Sequence, residues 1–411
     1  MSWPTAGLPV RRNTTLLAAA LAANSAMLQL SAAVASITLV LVLDVEGLVG
    51  LGPAIALGSG ALAAFPAGWA MDRFGRIRPL AAGFLTGIAG CGLAALGSAI
   101  ESAPVVLLGL VAVGAASGVS LLARTAAGDM YPPERRARGI GLVLFGAVFG
   151  AILGPAVFSP LISGHDLDGD SLAVLWLAGG AFLVVGLALV LAVRPDPQRI
   201  GMLLGHDEQR TDDHPHAPLR ELLARPGVIR AMVAAQASFA VMVAVMTLTG
   251  VVVVDHHGHA ADQVFPIIGA HVLGMYALVI VVGDLIDRIG RRPALAGGLF
   301  VMAASVASLL WIESVPATAV ALFGLGLGWN FSFVAATAQM ADSTLPWERG
   351  RLLGFNDLLA GMTGAMLALA GGVALDVVGV AALAGGAAVL VTLPALWILR
   401  STRTAAAAAR P

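Results

Sequence analysis

Two pairs of side chains in the second half of the chain have types and spacing suited to binding a soft metal ion. Met242 and Met246 stand four residues apart in one apolar stretch, and His271 and Met275 stand four apart in the next. Side chains at that spacing share one face of a helix. If the first stretch leaves a membrane near Val254, Met246 lies about 12 Å and Met242 about 18 Å below the surface, at 1.5 Å per residue. If the second begins near Asp262, His271 lies about 14 Å down and Met275 about 20 Å. Adjacent antiparallel helices would then set Met246 level with His271 and Met242 level with Met275. Three thioethers and one imidazole form a soft ligand set, which favours Cu(I) over magnesium, calcium or manganese. An ionisable side chain near the bilayer middle is costly and is expected to face a cavity or a relay. The turn between the two stretches carries His256, His257 and His259, which together have metal-ligand character and form a candidate outer capture point. Methionine also fills irregular gaps well, so the pair Met362 and Met366 reads as packing.

The elements that must hold these groups are transmembrane helices. Hydrophobic residues make up 58% of the 411-residue chain and charged residues only 11%, against roughly a quarter in soluble proteins. Twelve apolar stretches are expected near 14–43, 47–71, 79–100, 103–128, 139–162, 171–193, 228–254, 262–283, 294–312, 316–341, 352–375 and 378–399. One cysteine, Cys91, excludes an internal disulfide framework. The net charge of -1 and the lack of basic blocks interleaved with aromatics give no sign of nucleic-acid binding. Nothing at the start has the pattern of a cleaved signal.

All 23 basic residues are arginines. Apart from Arg124, they lie at the two termini or at the even-numbered connections, whereas the odd-numbered connections carry acids and histidines such as Glu101, Asp168 and Glu313. The positive-inside rule therefore predicts cytoplasmic termini, with the methionine and histidine pairs opening to the outer side.

The chain also repeats itself. Gly68-Trp-Ala-Met-Asp72-Arg73-Phe-Gly75-Arg76 returns as Gly283-Asp-Leu-Ile-Asp287-Arg288-Ile-Gly290-Arg291, an offset of about 215. Asp129, Pro133, Arg136, Arg138 and Gly141 return as Asp342, Pro346, Arg349, Arg351 and Gly354, an offset of about 213. The expected organisation is an N-terminal six-helix bundle over 1–193, a cytoplasmic linker over 194–227 and a C-terminal six-helix bundle over 228–411. The linker holds His206, Asp207, Glu208, Asp212, Asp213, His214 and His216 and reads as a flexible tether.

With its G-x-x-x-D-R-x-G-R loop present in both halves, the sequence resembles the major facilitator superfamily. That resemblance implies an all-α membrane protein of twelve helices in two six-helix bundles, working by alternating access. It further implies a cytoplasmic gating latch of Asp72, Arg73, Arg76, Asp287, Arg288 and Arg291, extended by Asp129, Arg136, Asp342 and Arg349. Within the superfamily, the Met-x-x-x-Met and His-x-x-x-Met pairs resemble bacterial copper importers that supply cytochrome oxidase assembly. This narrower resemblance carries the ligand role onto Met242, Met246, His271 and Met275. It implies a bacterial inner-membrane copper importer acting as a monomer among membrane lipids. Copper would be cargo rather than cofactor, passed from a periplasmic donor to a cytoplasmic acceptor.

Other branches keep different cargoes open. Relatives in the same branch move riboflavin, which would call for a cavity lined by aromatics and amides, with Asn24 and Asn330 as candidate lining residues. A proton-coupled drug exporter is suggested by Gly150-x-x-x-Gly154-Pro155, but Ala156 and Val157 follow where that signature expects glycines. Arg124 is expected to reach the cytoplasmic surface or pair with Asp129. Asp284 and Asp357 are candidate proton carriers. No nucleotide-binding loop, dinucleotide fingerprint or zinc-peptidase motif is present, so no enzyme reading competes.

Overall fold

The computed structural model describes residues 7–43, 51–162, 168–204, 217–260 and 263–400, and they are almost wholly helical. In a medium without water every backbone N–H and C=O must be satisfied internally, and long apolar helices do this segment by segment. Ten helices among the described residues are long and apolar enough to cross a membrane, and a bent pair makes an eleventh. In chain order the helices of the first half are α1 (Val10–Leu43), α2 (Leu51–Phe74), α3 (Ile77–Ala99), α4 (Ala103–Leu121), α5 (Ala123–Met130), α6 (Arg136–Leu144), α7 (Gly146–Ile162) and α8 (Gly169–Leu191). Two short helices, α9 (Pro197–Leu204) and α10 (Leu219–Ala224), lie in the connecting segment. The second half holds α11 (Val228–Val251), α12 (Val264–Tyr276), α13 (Val279–Ile289), α14 (Arg291–Ser308), α15 (Val315–Asp342), α16 (Arg349–Val378) and α17 (Val380–Arg400).

Several expected spans are interrupted. The fourth breaks at Leu122 between α4 and α5, the fifth divides into α6 and α7, and the eighth bends by 41° between α12 and α13. The eighteen-residue α14, packed on α15 and α17, is the remaining segment of the expected twelve. The first span begins at Val10, four residues earlier than expected.

Two compact units emerge. One comprises 1–132, 142–217 and 344–358, and the other 133–141, 218–343 and 359–411. Each therefore includes a short segment from the opposite half of the sequence. Within the first unit α3 packs on α4 and α8, and α1 packs on α7 and α8. Small residues permit that closeness: a side chain at Gly154 would sit 2.7 Å from Cβ of Gln29 and 3.0 Å from the carbonyl of Ala26, both on α1. Gly150 and Gly154 thus have a packing role. Within the second unit α15 is central, packing on α11, α12 and α14.

Part of the connecting segment is built into this framework. Ile200 of α9 and Leu222 of α10 are fully buried, and α9 packs on α5. The acids and histidines of 205–216 lie outside the described residues, as do Asp44, Glu46, Asp166 and Asp262.

Candidate functional site

The repeated loops build two ionic clusters. In the first unit the chain leaves α2 at Phe74 and reverses at Gly75, whose φ of +85° lies in the left-handed region open to glycine. The next residue, Arg76, is fully buried. Its Nη1 donates to Asp72 at 3.0 Å and its Nε to Asp129 at 2.6 Å, while Nη2 donates to the carbonyl of Pro346. Burial alone would weaken its hold on the proton, but the Asp129 and Asp72 carboxylates outweigh that and raise its pKa above the usual arginine value. Asp129 also accepts from Nη1 of Arg349. Asp72 faces the start of α16 and accepts from the backbone N–H groups of Gly350 at 2.7 Å and Arg351 at 2.8 Å. Those amides are among the unpaired donors of a helix N-terminus, where a carboxylate is favoured by both hydrogen bonding and the helix dipole.

The second unit repeats this arrangement. Gly290 turns the chain with φ of +89° between α13 and α14. Arg291 Nη1 donates to Asp287 at 2.6 Å, Nε to Asp342 at 2.9 Å, and Nη2 to the carbonyl of Pro133. Asp342 also accepts from Nη1 of Arg136. Asp287 accepts from the N–H groups of Ala137 at 3.2 Å and Arg138 at 2.9 Å, at the start of α6. Every partner is the repeat mate of its counterpart: Ala137, Arg138 and Pro133 correspond to Gly350, Arg351 and Pro346. Each cluster joins two carboxylates to two guanidiniums, so charge-assisted bonds compensate each other with no net charge left over.

Arg73 and Arg288 stand apart from these quartets. Both are exposed, and the Arg73 guanidinium lies over the rings of Trp69 and Phe74, 5.7 and 5.6 Å from their centroids. Two further residues, outside the charge quartet, buttress its backbone without having been evident in the sequence. Asp196 accepts from the N–H groups of Arg76 at 3.2 Å and Ile77 at 3.0 Å, capping α3 from the end of the sixth span. Gln198 donates to the carbonyls of Asp72 at 3.2 Å and Pro346 at 3.3 Å. Only their position just after the last apolar run could have hinted at this. Arg124 pairs with Asp357 of α16 at 2.5 Å rather than with Asp129, and Arg138 pairs with Asp284 at 3.2 Å.

The four soft-ligand candidates occupy different packing environments. His271 is buried and its Nδ1 is hydrogen-bonded at 2.9 Å to the carbonyl of Leu322 on α15. Met275 is also buried, and Gly326 of α15 packs against the His271 carbonyl and the Met275 amide. The α12 face carrying both residues therefore lies against α15. Met242 and Met246 are half-buried on α11, which packs chiefly on α15 and α17 and little on α12. The expected pairing of α11 with α12 as principal neighbours is not how these helices pack. At the turn after α11 the rings of His257 and His259 stand 6.3 Å apart, edge to face, and Nε2 of His259 meets the carbonyl of Glu313 at 2.6 Å. The His256 side chain lies outside the described residues. No group of three His, Cys, Asp or Glu side chains among the described residues is arranged to hold a metal ion.

A second feature of α15 is aromatic and amide in character. Trp329 and Phe333, four residues apart, stack with centroids 4.6 Å apart and planes 14° apart. Tyr276, where α12 ends, meets the Trp329 ring edge-on at 6.0 Å. Asn330 is fully buried and neither its Oδ1 nor its Nδ2 has a hydrogen-bond partner, and the Nε1 of Trp329 is likewise unpartnered. These residues lie near the middle of a 28-residue helix, about 21 Å from its start. Buried polar groups are almost always paired, and each one left unpaired costs about 1–3 kcal/mol. Three such atoms lie on α15 beside the ring stack. Asn24 of α1, in the other unit, is also buried with an unpartnered Oδ1.

Comparison with known proteins agrees with this architecture. A family model described as the Major Facilitator Superfamily matches residues 13–269 and 265–411. Riboflavin transporter RfnT of Brucella anthropi is 34% identical over 310 residues, covering 73% of each chain. The MFS-type transporter YddS of Bacillus subtilis is 31% identical over 337 residues, covering 78% of this chain and 74% of its own. Among solved structures, the human organic anion transporter MFSD10 superposes with a TM-score of 0.75 at 14% identity, covering 95% of this chain and 99% of that one.

Proposed function

From the premise that this chain belongs to the Major Facilitator Superfamily, we propose that it imports a small, planar organic molecule of riboflavin's chemical kind across a bacterial inner membrane. The observation that carries this reading is the mid-span group of Trp329, Phe333, Tyr276 and Asn330. Stacked rings favour a flat conjugated ligand, and an amide with free donor and acceptor would read the polar edge of such a ring. The riboflavin transporter among the relatives supports the same class. Copper has weaker support. The α12 face that carries His271 and Met275 lies against α15 rather than against α11, which bears Met242 and Met246. The two loop clusters would serve as the latch, since each ties a helix start from one half of the sequence to a loop from the other.

Binding is measured on the purified protein from quenching of riboflavin fluorescence, followed by uptake of labelled riboflavin into proteoliposomes. Saturable quenching is expected, with Trp329→Ala and Asn330→Ala each weakening it about tenfold, the equivalent of one or two lost contacts. A competition titration with Cu(I) decides the rival reading. Absent flavin binding, together with Cu(I) binding that Met246→Leu and His271→Ala abolish, would replace the organic cargo by copper.

A further inference from the structure

A cavity of about 410 Å³ lies within the second unit, where the ends of α11 and α14 converge with the starts of α15 and α17. That is the size of a small-molecule site. Val252 just past α11, Val306 of α14, Leu322 of α15 and Ala384 of α17 give it apolar walls. Two polar side chains, Thr318 and His257, line it as well. Thr318 stands in the first turn of α15 and is only 4% exposed, and its Oγ1 has no hydrogen-bond partner. His257 is partly exposed, yet its Nδ1 is buried and equally without a hydrogen bond. Thr249, another hydroxyl in the wall, differs because it donates to the carbonyl of Val245 at 2.8 Å.

The backbone explains how a residue beyond α11 comes to face this cavity. After Val251 the chain makes one wider, π-type turn over Val252–His256, and the N–H of His257 donates to the carbonyl of Val252 at 3.0 Å, five residues back. Such a turn holds one residue more than an α turn and re-aims those that follow, and single π turns recur at functional sites. The cavity stands apart from the Trp329 group, since Thr318 and Trp329 are eleven residues apart on α15, about 16 Å along its axis. No residue of either ionic cluster lines it. Buried polar groups are almost always paired, so a hydroxyl and an imidazole nitrogen left over in one apolar cavity call for a partner. A single water, with its share of about 30 Å³, would leave most of the space unfilled. A lipid acyl chain would fill the space and leave both polar atoms unpaired.

We propose that this cavity is a binding site for a small amphiphile with a hydroxyl head on an apolar body, an aliphatic alcohol or a phenol. A hydroxyl both donates and accepts. It therefore suits Thr318 Oγ1, which can do the same, and His257 Nδ1, which takes either role according to its tautomer. The apolar body fills the space between the valine, leucine and alanine side chains and supplies the dispersion contacts that an empty cavity lacks. The site is independent of the cargo, because every group in it lies outside the Trp329 and Asn330 group.

Binding is read on the full-length protein in lipid nanodiscs with isotope-labelled valine methyl groups, titrated with n-octanol and, at matched concentration in the membrane, with n-octane. The Val252 and Val306 resonances should shift saturably with n-octanol, and n-octane should need about tenfold more for the same shift, as expected for the loss of one or two hydrogen bonds. Thr318→Val keeps the side-chain shape and removes the hydroxyl, so it should weaken n-octanol about tenfold and bring it level with n-octane. Thr318→Ser should keep the preference for the alcohol. Ala384→Leu, which fills the cavity, should abolish the saturable shift for both probes. Should Thr318→Val fail to fold, His257→Leu at the partly exposed turn deletes the other polar partner and should narrow the same preference. Equal binding of the two probes by the wild type, or n-octanol binding indifferent to Thr318→Val, would overturn the alcohol assignment in favour of lipid chains. Shifts that rise without saturation and survive Ala384→Leu would overturn the site itself. Neither result depends on whether riboflavin is carried.

Discussion

Two glycines that look equivalent in sequence do different things in the structure. Gly75 and Gly290 both turn the chain with φ near +90°, which a side-chain-bearing residue adopts at a cost of about 1–3 kcal/mol. A Cβ at Gly75 would also sit 2.7 Å from Oδ2 of Asp196, whereas at Gly290 the nearest atom is Cδ of Pro293 at 4.0 Å. Gly75→Ala and Gly290→Ala should therefore both lower the thermal unfolding midpoint in detergent. Only Gly75→Ala should also loosen the cap on α3, read as faster hydrogen exchange at the amides of Arg76 and Ile77. Equal exchange in the two variants would show that Asp196 yields without losing its hydrogen bonds.

Helix starts are the elements on which both clusters act. Asp72 closes the N-terminus of α16 and Asp287 that of α6, each through two backbone N–H groups and one arginine. Asparagine in either place keeps an acceptor but gives up the charge that both the helix dipole and the arginine favour. Asp72→Asn should speed amide exchange at Gly350 and Arg351 about tenfold, from a loss near 1.4 kcal/mol, and leave Ala137 and Arg138 as they were. Asp287→Asn should do the reverse. An effect of either variant on both helix starts would mean that the clusters are coupled rather than self-contained.

At the scale of the whole molecule this is a multi-span transporter of the Major Facilitator Superfamily, not an enzyme. The orientation rests on the arginine distribution and makes its own prediction. In a Cys91-free background, Glu313→Cys should react with a membrane-impermeant thiol reagent from outside intact cells, since Glu313 is exposed at an odd-numbered connection. Glu134→Cys, exposed at an even-numbered connection, should react only after the cells are opened. The opposite pattern would invert the protein in the membrane and with it the direction assigned to transport.

Hydropathy, the arginine pattern and the doubled loop signature were enough for the class, the duplication and the acids and arginines of the two clusters. Those properties are written locally: an apolar run must become a helix in a membrane whatever it packs against, and a repeated motif repeats its turn. The pairing of charges was not local. The sequence shows Asp129 and Arg124 five residues apart, yet Asp129 meets Arg76 and Arg349 while Arg124 meets Asp357, more than two hundred residues away. The methionine and histidine pairs illustrate the same limit. A spacing of four fixes that two side chains share a helical face, but the neighbour that face meets depends on how the helix is rotated within its bundle. The tertiary structure turned His271 toward the Leu322 carbonyl and brought Tyr276 against Trp329. Close approach of α12 and α15 at Gly274 and Gly326 made those contacts, and no pattern within either helix alone specifies it.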